Sequence, residues 1–433
     1  MSPINIYWFR RDLRFSDNHG LYRALQAGLP VLPLFIFDRR ILGRLEAKDD
    51  PRVTFIHREV LRLKREAERR GSTLLVYEGS PEEVFTALSE VYRIRNVFAN
   101  NDYEPYARER DGRLEGLLEG MGIGFRTFRD QVIFEKDEVL KDDGRPYTVF
   151  TPYMKKWKTL LAGTDPVSWP SEELTGRLIQ HAVAHMPSLK EMGFEASGVV
   201  FPSPVPDASL ISRYHLDRDF PALEGTSRLG IHLRFGTISV RELVKLARSL
   251  NETFLNELIW REFYMMILWH FPYVAEASFK REYDRIAWRN DEREINAWMN
   301  GNTGYPMVDA GMRQLNATGY MHNRLRMITA SFLVKHLLVD WRIGEAYFAS
   351  RLLDFELSSN NGGWQWAAGT GCDAAPWFRI FNPELQAKKF DPRSEFIRRW
   401  VPGAGTDSCP PPIVDHRFAR ERALSVFNKH MKS

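Results

Sequence analysis

Hydrophobic positions divide the chain into two regimes. Over the first 130 residues short apolar runs alternate with amphipathic stretches. INIYWF (4–9), VLPLFIF (31–37), TLLVYE (73–78), NVFAN (96–100) and FRTF (125–128) predict strands. VLPLFIF is apolar almost throughout, as expected of a strand covered on both faces. Between them, 21–26, 52–70, 81–91 and 105–120 carry helical spacing, with SDNHG supplying an N-cap before the first and Gly71 closing the second. This βαβ rhythm predicts a parallel doubly wound sheet with ligands beyond the carboxyl ends of its strands. No GxGxxG follows the first strand, which argues against a standard dinucleotide site there.

The rhythm stops at about 130. GRPYTVFTPYMKKW and VVFPSPVPD, rich in Pro, Gly and aromatics, predict a long surface connector over 131–205. From about 207 the spacing is helical, over 238–249, 253–269, 291–299, 307–316, 322–338 and 344–353. The expected organisation is an α/β domain at 1–130, a linker at 131–205 and an all-α domain at 206–433. There is no internal repeat and no low-complexity tract.

Composition narrows the class. The 433 residues are 44% hydrophobic and 27% charged, a globular balance. No apolar run approaches the roughly 20 residues a membrane helix needs. MSPINIYWFRRDLRF lacks a signal-peptide layout, so the expectation is a cytoplasmic protein without a membrane. Cys372 and Cys409 are the only cysteines, too few for a disulfide framework or a four-cysteine cluster, and no metal is implied. Net charge is 60 − 56 = +4, all of it in 206–433 (30 basic, 26 acidic), since 1–205 balances at 30 and 30. A phosphate-binding face is therefore sought in the second half. Nine of the 12 tryptophans also fall after residue 250. Most suit an aromatic core, but indoles also stack on bases, and a closely spaced chain of them carries electrons.

Four motifs carry candidate chemistry. GTSRLG (225–230) offers hydroxyls, backbone amides and Arg228 before a helix, suited to phosphate or simply to capping. ELIWREFY sets Glu257, Trp260, Arg261 and Tyr264 along one helical stripe, and HNRLRM sets Asn323 and Met327 on one face with Arg324 and Arg326 to either side. In HNRLRM, Arg324 suits a phosphate and Arg326 a carboxylate. In DFELSSNNGGWQWAAGTGCDAAPWFRIFNP (354–383), Gly362 and Gly363 permit close backbone approach beside Asn360, Asn361, Trp364 and Trp366. That mixture suits a pocket wall against a flat heteroaromatic ring.

TSRL, NELIWREFY, GYPMVDAGMRQL, GYMHNRLRMITASFLVKHLL, DWRIGE and NNGGWQWAAGTGCDAAPWFRIFNP together resemble the FAD-binding half of the photolyase/cryptochrome family, nearest to bacterial class I cyclobutane-dimer photolyases. The resemblance runs from WFRRDLRFSDN (8–18) to the C-terminal helix, strongest over 210–400. It implies one non-covalent FAD. Tyr214, Thr226, Ser227, Arg228, Leu229 and Gly230 would surround its phosphates. Phe254, Arg261, Asn323, Arg326, Asp354, Phe355 and Glu356 would line the cavity, with Asn360 facing flavin N5 and Arg326 paired with Asp354. Gly230 stands where a serine is common, and Glu356 where an aspartate is usual.

The resemblance further implies light-driven repair, in which photoexcited FADH⁻ donates an electron to a cyclobutane pyrimidine dimer flipped out of UV-damaged DNA. Glu257 would hydrogen-bond the dimer, Trp260 and Trp366 stack on it, Met327 pack beside it, and Asn323 and Arg324 seat it. Trp364, Trp341 and Trp288 would form the electron-transfer chain that photoreduces the flavin. His322 followed by Asn323 matches the cyclobutane-type pattern rather than the (6-4) one. For a second, antenna chromophore NNDYEPYARERD (100–111) resembles the deazaflavin type more than the folate type, with contacts at Arg52, Asp102 and Arg234. A monomer, nucleoid-associated when bound to DNA, is expected. A blue-light signalling receptor with the same flavin site is the alternative, and a non-photochemical flavin oxidoreductase a third.

Overall fold

The computed structural model describes residues 2–163, 165–406 and 410–431. Cys409 lies outside them, and Cys372 is a free thiol. The chain forms two compact units, each drawn from three stretches. One comprises Met1–Glu135, Leu161–Pro206 and Leu229–Leu246, the other Lys136–Leu160, Asp207–Arg228 and Ala247–Ser433.

The first unit is built on a five-stranded sheet in the order β3-β2-β1-β4-β5, all neighbours parallel. The strands are β1 (Ile4–Phe9), β2 (Val31–Asp38), β3 (Leu75–Gly79), β4 (Ile94–Asn100) and β5 (Gly124–Phe128). β1 and β2 are buried at every position, Asn5 and Asp38 included, as expected of predominantly apolar runs covered on both faces. Each crossover carries a helix: His19–Gln26, Pro51–Glu68, Pro81–Val91 and Pro105–Gly120. The third is fastened by a capping box between Ser80 and Glu83. Strand order reverses between β1 and β4, so the switch point lies at Phe9 and Asn100.

Behind β1 lies a closed ionic network. Asp130 accepts from the Arg14 and Arg241 guanidinia at 2.8 Å, and Arg241 Nε also reaches Asp17 at 2.8 Å. All four side chains are at most 5% exposed. Burial works to raise the Asp130 carboxyl, yet Arg14 and Arg241 hold it below the ordinary carboxylate range.

The second unit is helical. Its principal helices include Glu252–His270, Pro306–Thr318, Asn323–Ser331, Trp341–Arg351, Leu357–Ala368 and His416–Met431. The helix expected over 322–338 instead widens into a π-helical turn at Phe332–His336 and ends before Leu338, which has φ +52°. The NNGG stretch, whose glycines permit close backbone approach, lies inside the helix Leu357–Ala368. Gly362 is required there because a Cβ would enter the Tyr264 ring.

Residues 131–205 are not one surface connector. Phe150–Leu161 is a helix whose Tyr153 and Trp157 are each 1% exposed, and residues 136–160 belong to the helical unit. Three of the aromatic residues that suggested a wrapped loop, Phe150, Tyr153 and Trp157, are buried on this helix.

Candidate active site

A cavity of about 380 Å³, partly open to solvent, lies within the helical unit. That is within the roughly 300–1,000 Å³ of small-molecule pockets. Four helices, one short segment and Arg218 build it, the helix Trp341–Arg351 contributing Phe348, with Leu352 just past its end.

The helix Glu252–His270 starts where Asn251 accepts from the Phe254 amide at 3.1 Å. It buries Leu255, Leu258, Ile259, Phe263 and Met266, and presents Glu257, Trp260, Arg261 and Tyr264 to the cavity. The stripe expected from spacing is the stripe observed. The helix Asn323–Ser331 adds Asn323, Arg326, Met327 and Ala330. Its cap is His322, whose Nδ1 accepts from the Arg324 amide at 3.1 Å. Burial first, and Arg324 next, lower the His322 pKa to about 4, so the ring stays neutral and keeps its lone pair for the cap. The helix Leu357–Ala368 contributes Ser359, Asn360, Gly363, Trp364 and Trp366, and the short segment contributes Asp354, Phe355 and Glu356.

Charges on the cavity wall are paired. Arg326 Nη2 bonds both oxygens of Asp354 at 3.0 and 2.9 Å. Arg261 Nε lies 3.4 Å from Glu356, and Arg218 bonds Glu257. Burial pushes the Glu257 carboxyl up, and Arg218 only partly pulls it back. Asn360 Nδ2 donates to the carboxylate and carbonyl of Glu345 at 2.8 and 3.1 Å. Burial likewise raises Glu345.

The other expected residues are placed as follows. Tyr214 packs edge-on to Phe254 at 5.1 Å. The Thr226 hydroxyl lies 2.7 Å from that of Tyr320, and Arg228 pairs with Glu224 at 2.6 Å. Ser227 is half-buried, Leu229 is buried and Gly230 opens the helix Gly230–Phe235. None of these seven residues, nor Arg324, lines the cavity. Arg324 is held by Asp219 and lies over the Phe390 ring at 4.1 Å. Asn361 is structural, donating to the Val274 carbonyl at 2.8 Å.

Of the three electron-transfer tryptophans, Trp364 lines the cavity and is buried. Trp341 is buried with Arg342 above its ring at 4.8 Å, and Trp288 is half-buried against Phe427. The Trp364 indole lies against Gly344, where a Cβ would collide with it.

The antenna residues divide. Asp102 bonds Arg11 at 3.0 Å, and Arg234 bonds Glu104, which Arg11 also reaches at 3.3 Å. Burial would raise Asp102, but Arg11, Arg110, Arg10 and Arg234 hold it well below the carboxylate range. Arg52 is turned onto Asp50 instead.

Sequence reasoning missed Arg218, which lies one residue beyond the helix Ala208–Asp217 with no periodic cue, and the cavity residues Phe348 and Leu352. The cavity suits a flat cofactor with a polar edge. The Trp364 Nε1 is buried with no protein partner, Gly363 leaves open space where a Cβ would stand, and Arg326–Asp354 and Asn360 supply opposed donors and acceptors.

Comparison with known proteins agrees. Residues 5–171 match the family model described as DNA photolyase, and residues 254–406 the one described as FAD binding domain of DNA photolyase. The chain belongs to the DNA photolyase family. Curated relatives named deoxyribodipyrimidine photo-lyase include that of Escherichia coli, 38% identical over 99% of each chain. The relative of that name from Synechococcus is 36% identical over 99% of this chain and 97% of its own. Among solved structures, a bacterial class III photolyase from Agrobacterium tumefaciens aligns with a TM-score of 0.88 at 33% identity, covering 100% and 98% of the two chains. An archaeal photolyase from Sulfolobus tokodaii, described with two FAD molecules, aligns at 0.85 and 33% identity, covering 99% and 100%. Among the described residues no helix is long and apolar enough to cross a membrane.

Proposed function

We propose that this chain repairs UV-damaged DNA by splitting cyclobutane pyrimidine dimers under blue light, with FAD in the helical cavity. The observation that carries this reading is that Glu257, Trp260 and Met327 open on the same cavity as Arg326–Asp354 and Asn360. Reduced FAD, once excited, supplies the electron that opens the dimer's ring bonds and takes it back.

The chain's own residues do the rest. Arg326, Asp354, Arg261, Glu356 and Asn360 hold and orient the flavin. Tyr214, Phe254, Thr226, Ser227, Arg228, Leu229 and Gly230 hold its remaining length. Enzymes that act on bases extrude them from the duplex at a cost of a few kcal/mol, least for damaged bases. Trp260 and Trp366 then stack on the extruded dimer, Met327 packs beside it, and Asn323 and Arg324 seat it. Glu257, its carboxyl raised by burial and its position fixed by Arg218, hydrogen-bonds a dimer carbonyl and is able to hold a proton there. Trp364, Trp341 and Trp288 carry electrons inward to activate the flavin. Phosphate contacts make binding salt-dependent and nearly independent of sequence.

A deazaflavin-type antenna, rather than folate, would lie at the switch point near Asp102 and Arg234, with Arg52 turning from Asp50 to reach it. The working unit is a bacterial, cytoplasmic monomer. The test is repair of a thymine dimer in an oligonucleotide by purified, reduced protein, in blue light and in darkness. Light-dependent repair, lost in Glu257→Ala/Trp260→Ala, is expected. Bound, photoreducible FAD without repair would refute the reading and favour a light-signalling receptor.

A further inference from the structure

The helix Phe150–Leu161, from the stretch that resembled a connector, is fastened along the back of the stripe carrying Glu257 and Trp260. The Phe150 ring lies parallel to the Trp260 indole, with centroids 3.6 Å apart and planes 7° apart. Both rings meet Phe263 edge-on, at 5.8 and 5.6 Å. One and two turns on, Tyr153 packs against Phe263 at 5.2 Å, and Trp157 Nε1 donates to the Glu262 carboxylate at 2.6 Å. Lys158 pairs with Glu252 at 2.6 Å. Every one of these partners belongs to the helix Glu252–His270.

The other end of the brace reaches the second indole. The Phe150 amide donates to the Asp373 carboxylate at 2.9 Å. Asp373 lies in the loop after the helix that carries Trp366, and the Trp366 carbonyl accepts from the Ala375 amide in that loop at 3.2 Å. Phe150 is buried and does not line the cavity, whereas Trp260 is half-buried and does. One face of that indole is therefore occupied by Phe150, and the part left uncovered belongs to the cavity.

Resting on the function proposed above, we propose that Phe150 is a positioning residue for dimer recognition and Asp373 its clamp. Phe150 fixes the plane of Trp260 before the dimer arrives, and Asp373 ties that plane to the loop following Trp366. An indole already held in its stacking orientation loses less freedom on binding, which raises affinity for a flat ligand without any contact of its own.

The test compares Phe150→Leu, Phe150→Tyr and Asp373→Asn with the unaltered FAD-loaded protein. Affinity is measured for an oligonucleotide bearing one thymine dimer and for its undamaged twin, and repair per absorbed photon at saturating oligonucleotide. Phe150→Leu should lose about three- to tenfold in affinity for the dimer alone, the scale of an aromatic pair. Binding of undamaged DNA and saturated repair should hold, and Phe150→Tyr should restore the affinity. Equal weakening toward both oligonucleotides would overturn the proposal, because it marks a general packing defect. Should Phe150→Leu lose its FAD, Asp373→Asn decides, and unchanged discrimination there overturns the clamp. If the unaltered protein itself fails to distinguish the two oligonucleotides, the proposed function falls, and this inference with it.

Discussion

Arginines and carboxylates crowd two regions of this molecule to opposite effect. Behind β1, Arg14, Arg241, Asp17 and Asp130 satisfy one another almost out of reach of water. In the helical unit, Arg218–Glu257, Arg261–Glu356 and Arg326–Asp354 are paired just as definitely, but along the wall of an open cavity. A buried, closed set of charges fixes a conformation. The same pairs along a cavity wall orient groups toward whatever binds there. Charge density alone does not mark a site; a cavity lined by ordered polar atoms does.

The contrast breaks first at Arg241. Arg241→Met leaves Asp17 and Asp130 buried with only Arg14 nearby, and should cost about 3–5 kcal/mol, visible as a large fall in melting temperature. A near-normal melt would show that this network is not closed. Next, Gly362→Ala drives a Cβ into the Tyr264 ring and should cost about 1–3 kcal/mol by overpacking. Gly363→Ala, one residue on, meets open space, so it should melt normally while retaining less FAD, as absorbance against protein concentration would report.

Smaller again is the His322 cap. His322→Ala should lose about 1 kcal/mol, and His322→Asn should keep most of it. Because the folded-state pKa is lowered from 6.5 to about 4, the neutral ring's contribution is complete above about pH 6.5. It is lost as pH falls toward 4, so the deficit of His322→Ala should shrink in acid, while His322→Asn, which does not titrate, should gain on the parent. The subtlest effect is at Arg218. Burial raises the Glu257 carboxyl and Arg218 restrains it, so Arg218→Met should let it rise further. The midpoint of dimer affinity against pH should then move upward, and an unchanged midpoint would deny Glu257 a titrating role.

Much of this was legible in the sequence because burial writes itself into local pattern. All five strands lie within about two residues of their expected bounds; for β1 and β2 the reason is burial on both faces, which leaves little choice but an apolar run. The stripe Glu257, Trp260, Arg261, Tyr264 followed from helical spacing alone. What stayed hidden depends on partners distant in sequence. Nothing near Arg218 names Glu257, and nothing near Phe150 names Trp260. The glycines at 362 and 363 signalled close backbone approach but not its partner; packing against the Tyr264 ring gives Gly362 its reason to stand inside a helix. The π-helical turn at Phe332–His336 leaves no mark in the spacing, because its residues are buried all round.

The interleaving of the two units has a consequence for how the protein is made. The chain leaves the first unit at Glu135, returns at Leu161, and returns again at Leu229. Arg241 therefore leaves the ribosome well after the five strands are complete, by seconds at roughly 5–20 residues per second. Until then Asp130 has only Arg14 of its two guanidinium partners, and Asp17 lacks Arg241. A fragment ending at residue 205 carries every strand but no Arg241, so the order of synthesis makes the last stretch of the first unit the latch on its earliest structure.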